Sequence, residues 1–136
     1  MNAMEQAGTC CSRRAPSVSD YIDRGMRRAR SARPQELSAE SLDEAGRFAR
    51  FGVEVGGGVV TAVRFRASAC TTLIAYCEVA AERVSGLSLT AAIRSLRAAD
   101  LAQALPSVPA VKHDRAGLAA RALMTALLDT ARSFDS

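Results

Sequence analysis

Apolar residues recur along this chain with two periods, and the switch between them falls at a cysteine. Val18, Tyr21, Ile22, Met26 and Ala29 lie on one side of a 3.6-residue repeat, predicting a helix over residues 17–30 that Pro34 closes. Arg24, Arg27, Arg28 and Arg30 crowd the rest of its surface. Residues 38–45 are polar and acidic and predict a linker or short helix. RFARFGVEV (47–55) and VVTAVRFRA (59–67) have β-branched and aromatic strand character and flank Gly56-Gly57-Gly58. That arrangement predicts a β-hairpin with a glycine turn. The glycines join two strands and lack a following Lys-Ser/Thr, so they do not read as a phosphate loop.

Helical spacing returns after Cys70, at Leu73, Ile74, Cys77, Ala80, Ala81 and Val84, and ends at Ser85-Gly86. Ser88 or Thr90 is placed to cap another helix through 91–96, with 100–105 continuing helical until Pro106. LPSVPAVK (105–112) reads as an extended, proline-marked loop. Residues 115–132 predict a final helix with Leu118, Ala119, Ala122, Leu123, Ala126 and Leu127 inward. A helix, a hairpin with a third strand left open, and three helices make an α+β fold. A small antiparallel β-sheet is expected, covered on one face by helices. Residues 1–16 read as a flexible tail and 17–136 as a single domain.

Composition narrows the function classes. At 136 residues and 49% hydrophobic, the chain has the length and apolar content for one core. No run reaches the ~18 apolar residues of a membrane span. The first residues lack the apolar stretch of a secretory signal, so a cytoplasmic address is the expectation. Lys112 is the single lysine among 18 basic residues, which fits a coding bias toward arginine. The net charge of +4 belongs to the N-terminal segment, because residues 36–136 balance. The arginine-rich helix could contact nucleic acid or an anionic surface, or be a solvated face. The scarcity of aromatic residues for base stacking argues against nucleic acid.

The candidate chemistry centres on Cys70, where a strand runs into a helix N-terminus. A thiol there feels the helix dipole and free backbone N–H groups, which favour the thiolate, the form that binds soft metals or carries sulfur. Cys77 lies on the apolar stripe and reads as a small core residue, while Cys10 and Cys11 fall in the tail. No CxxC pair or histidine cluster marks a self-contained zinc module. His113, the only histidine, reads as a loop residue, and no His–Asp constellation supports catalysis, so an enzyme is not expected.

Two stretches resemble the iron–sulfur cluster assembly scaffold family, the IscU-like or NifU N-terminal-like domains. One is FRASACTTLIAYCEVAAERVSGLSLTAA, similar to the family's strand, small-residue turn, central cysteine and helix. The other is LPSVPAVKHDRAGLAARALMTAL, similar to its proline–valine–lysine loop and last helix. The resemblance spans roughly residues 45–131. It implies an assembly accessory or scaffold-like protein that binds iron, zinc or an iron–sulfur cluster at the Cys70 end. The alternative is a metal-free interaction module that kept the fold.

By that resemblance, Cys70 is the central ligand, with Asp114 and His113 as helpers. The family's Cys-Gly-Asp motif falls on Ala45-Gly46-Arg47, and its third cysteine falls on Arg115. Two thiolates are therefore missing, and the assisting acid is replaced by a cation. Arg47 and Arg115 would repel a metal cation and lower the Cys70 pKa. The implied partners are a cysteine desulfurase and an Hsp70-type chaperone that reads the loop around Pro109, Val111 and Lys112. A homo-oligomer is left open, and no membrane association is expected.

Overall fold

The computed structural model describes residues 16–135; the expected tail, with Cys10 and Cys11, falls outside them apart from Pro16. Helix α1 (Val18–Ser31) begins at a capping box in which Ser17 and Asp20 satisfy each other's backbone N–H groups. Three antiparallel strands follow: β1 (Ser41–Leu42), β2 (Phe48–Gly56) and β3 (Val59–Ala67), in the spatial order β1-β2-β3. The polar segment 38–45 thus supplies a short strand rather than a helix. Gly57 and Gly58 both have positive φ, as the tight turn between β2 and β3 requires.

Four helices complete the chain: α2 (Thr71–Val84), α3 (Leu89–Ser95), α4 (Ala98–Ala104) and α5 (Asp114–Asp135). Residues 89–105 are therefore two short helices, broken at Leu96 and Arg97, both of which have extended backbone. The proline-marked loop is also not extended throughout, since Ala110–Lys112 forms a 3-10 turn with Lys112 N–H donating to Pro109 O.

Pairing places Phe51 opposite Phe65 and Val53 opposite Val63 on the face that meets the helices. The two phenyl rings sit 5.4 Å apart at their centroids. This is an α+β architecture, a small antiparallel sheet with helices on one face, as the periodicity predicts. The opposite face is crossed by residues 32–40. Arg50 Nε donates to Ser38 O, Arg66 Nε to Ala32 O, and Ser38 N–H to Phe51 O. Gly52 makes that crossing close, because a methyl group there would overlap the Glu36 carbonyl oxygen.

Helix α2 is central and buried nearly all round, from Leu73 to Ala81. The core therefore extends beyond the single stripe seen in the sequence. Its one buried charged side chain, Glu78, faces α1, where Arg28 grips both carboxylate oxygens at 2.6 and 2.9 Å. The same guanidinium donates to Val63 O on β3. Arg24 repeats the contact one turn away, with Glu82. Of the arginines that the sequence places on the open surface of α1, Arg28 thus turns inward and Arg24 pairs across to α2 at the surface, while Met26, expected inward, is 42% exposed. Gly25 takes the close position, where an added Cβ would meet Ile74 Cγ2 at 2.7 Å.

Candidate functional site: a cysteine among arginines

Cys70 is the N-cap of α2, with extended backbone at φ −121° and ψ 111°. It is half-buried and unpaired, and follows directly on the end of β3 and its small-residue turn. Burial pushes its thiol up. The Leu73 amide, the Arg115 guanidinium and the Thr72 amide outweigh that, and the net shift is downward from the ordinary thiol value. Two mechanisms therefore act on one sulfur: exposed amides at a helix start, and a cation from a distant helix. Cys77 shows the opposite behaviour, because complete burial pushes its thiol up and leaves it an inert core group.

Arg115 comes from the first turn of α5 and reaches the Cys70 sulfur while donating to Asp114 Oδ1 at 2.8 Å. The other oxygen of Asp114 accepts from Arg47 Nη2 at 2.9 Å. Arg47, at the start of β2, also pairs through Nε with Asp43 at 2.8 Å. Charges thus alternate along a chain of contacts, Asp43, Arg47, Asp114, Arg115 and Cys70.

The turn that starts this chain is built locally. Asp43 Oδ1 accepts from the N–H groups of both Ala45 and Arg47, and Gly46 takes the positive φ of 82° needed to close the turn. These bonds and the Arg47 charge, working against desolvation, hold the Asp43 carboxyl below its usual value. Arg121 then fastens α5 to the same corner by donating to Leu42 O.

The structure brings four of the sequence-predicted positions to one end. Arg47, Asp114, Arg115 and Cys70 are in sequential contact, and Ala45 lines the same depression as Arg47 and Asp114. His113 is engaged elsewhere, its Nε2 bonded to Val108 O and its ring lining a groove along α4 with Ala98 and Pro106. Pro109 caps the 3-10 turn that carries Val111 and Lys112, both exposed, Val111 to 79%.

Asp43 is the member of the chain that sequence reasoning missed. The Asp-x-x-Gly spacing of a closing turn, with an arginine directly after it, was the available signal.

The donors do not fit a chelated cluster or zinc. A cluster takes thiolates in number, and a structural zinc takes four ligands of the Cys/His type. Here one cysteine sulfur lies near a guanidinium, both Asp114 oxygens are held by arginines, and His113 bonds a carbonyl. Among the described residues no three His, Cys, Asp or Glu side chains gather as a metal site would require. What the end offers instead is a partly exposed thiol whose pKa is lowered by its surroundings.

The sequence model of the NifU-like N-terminal domain matches residues 37–133. The fold is also similar to the crystal structure of a nitrogen-fixing NifU-like protein (N-terminal) from Brucella abortus. The TM-score is 0.51 at 19% identity, covering 82% of this chain and 96% of that one. No curated protein sequence matches. Among the described residues no helix is long and apolar enough to cross a membrane. The family match covers most of the chain, helix α1 precedes it, and the chain belongs to the NifU-like N-terminal domain family, whose members serve as scaffold or assembly-type modules rather than enzymes.

Proposed function

We propose that this chain is an accessory protein of iron–sulfur cluster assembly that works at its Cys70 end without a metal chelated by its own side chains. The observation that carries this reading is the pairing of Asp114 with both Arg47 and Arg115, with the Arg115 guanidinium near enough to Cys70 to lower its pKa. Two fixed positive charges stand where the family resemblance expects a ligand and its assisting acid. Arg115 lowers the Cys70 pKa directly, Arg47 holds Arg115's partner Asp114, and neither guanidinium can donate an electron pair to a metal cation. Family membership supports partners from the same pathway, a cysteine desulfurase and an Hsp70-type chaperone among them. The exposed turn with Pro109, Val111 and Lys112 is the segment proposed for the chaperone.

Anaerobic purification, followed by iron, zinc and acid-labile sulfide analysis of the wild type and Cys70→Ala, tests the reading. Metal far below one equivalent, and equal in the two proteins, is expected. One equivalent of iron or zinc in the wild type that disappears in Cys70→Ala would replace this reading with direct metal binding through Cys70.

A further inference from the structure

We propose that the groove between α1, the end of β3 and the start of α2 docks an acidic, apolar segment of a partner protein. This surface is separate from the Arg47–Asp114 pair, and the inference does not depend on whether Cys70 holds metal. The groove measures about 420 Å³. That is room for one or two side chains, at the small end of binding clefts. Phe48, Ala67 and Ile74 are among the residues that give it an apolar floor, and Met26 stands at its lip, 42% exposed. Among the described residues, Arg30 and Arg66 are the charged members of its lining and no acid lines it.

The electrostatics follow from how the arginines of α1 are spent. Arg24 and Arg28 are consumed by Glu82 and Glu78. Arg27 and Arg30 are exposed and form no ion pair among the described residues. Arg66 likewise has no acidic partner there, only the Ala32 carbonyl on Nε. An apolar pocket rimmed by unpaired guanidiniums is complementary to an apolar anchor flanked by carboxylates, which arginine can take in a two-pronged hydrogen bond. The chain's own first 15 residues are a poor occupant, since they offer Glu5 against Arg13 and Arg14. Nucleic acid is disfavoured because Phe48 is the groove's one aromatic ring among the described residues.

An array of synthetic nine-residue peptides tests the proposal, with two Leu or Phe anchors flanked by Asp or Glu. Matched sets carry Asn and Gln, or Lys, in place of the acids. Wild-type protein is titrated with the best peptide, with heparin and with phosphatidylglycerol vesicles, and chemical shifts locate the site. The acidic set should bind, with shifts at Phe48, Ala67 and Ile74. Arg30→Glu should weaken binding by about tenfold, as loss and reversal of a rim charge would. Met26→Ser should weaken it too, and Arg94→Glu on α3 should leave it unchanged. No acidic peptide binding up to about 1 mM, the limit of weak association, would overturn the proposal. So would equal binding of the Lys set, shifts confined to another surface, or binding of heparin or vesicles alone.

Discussion

Arg115 and Cys70 stand at the starts of different helices, and the Arg115 guanidinium lies close enough to the Cys70 thiol to lower its pKa. Burial alone would raise the thiol's pKa; the Leu73 and Thr72 amides and Arg115 reverse it. Alkylation rate measured against pH should therefore show Cys70 reacting as a thiolate at a lower pH than a free thiol. Arg115→Ala should move that profile upward, and an unchanged profile would remove Arg115 from the account.

The same shift has a stability consequence with a definite sign. The folded thiol's pKa lies below that of the unfolded chain, so the interaction contributes fully above the unfolded value. The contribution is lost as pH falls through the folded one. Arg115→Ala should accordingly lose more stability under alkaline conditions than near neutrality. Denaturant midpoints for both proteins across that window provide the comparison, and a pH-independent difference would contradict it.

The two α1–α2 ion pairs should differ in energetic weight. Glu78 is 1% exposed, and Arg28→Ala would leave its carboxylate buried and unpaired. A loss of about 3 kcal/mol is expected. Arg24 and Glu82 are each a third or more exposed in their side chains. Arg24→Ala should cost under about 1 kcal/mol, the usual limit for a surface pair. Urea denaturation of the two variants separates these values, and near-equal losses would show that α1 is not anchored at Glu78.

Two glycines set close approaches. Gly25→Ala gains about 1 kcal/mol of helix propensity. Its methyl would lie 2.7 Å from Ile74 Cγ2 and 3.0 Å from Ile74 O. Overpacking of that kind costs about 1–3 kcal/mol, so a net loss is expected. Gly52→Ala should be at least as damaging, because it meets the Glu36 carbonyl, which belongs to backbone and cannot turn away. Thermal unfolding of both variants checks this, and wild-type stability in either would show that the segment can move aside.

The loop offers a stabilising change. Pro109 has φ −61° and ψ 146°, the conformation a residue before proline prefers, and Ala110 opens the 3-10 turn. Ala110→Pro should therefore fit and raise stability by about 0.4–1 kcal/mol. The same substitution in a peptide of residues 105–113 should raise its affinity for a cognate Hsp70-type chaperone. Neither wild-type nor substituted peptide binding would retire the chaperone reading of Pro109, Val111 and Lys112.

Much of this fold was legible because its signals are local. The switch from strand to helical spacing at Cys70, the Gly57-Gly58 turn and the Gly86 stop each depend on a few neighbouring residues. The inward Arg28 was not legible, because an arginine among arginines reads as surface until its partner is known. Glu78 and Glu82, one turn apart among the apolar residues of α2, were the visible trace of that pairing. β1 was hidden by its two-residue length and by its pairing with β2 rather than by its own composition. At the site, the Arg47 and Arg115 positions came from the family resemblance. The Asp43–Arg47 step is local and its Asp-x-x-Gly-Arg spacing was visible, whereas the step from Arg47 to Asp114 is tertiary and no spacing in the sequence encodes it.

Zinc titration of the anaerobically reduced protein against a competing chromophoric chelator tests the central claim most directly, with Cys70→Ala run alongside. If Arg47 and Arg115 occupy the ligand positions and hold Asp114 away from a metal, wild type and variant should compete equally weakly for zinc. A tight one-to-one zinc site in the wild type that is lost in Cys70→Ala would contradict the claim.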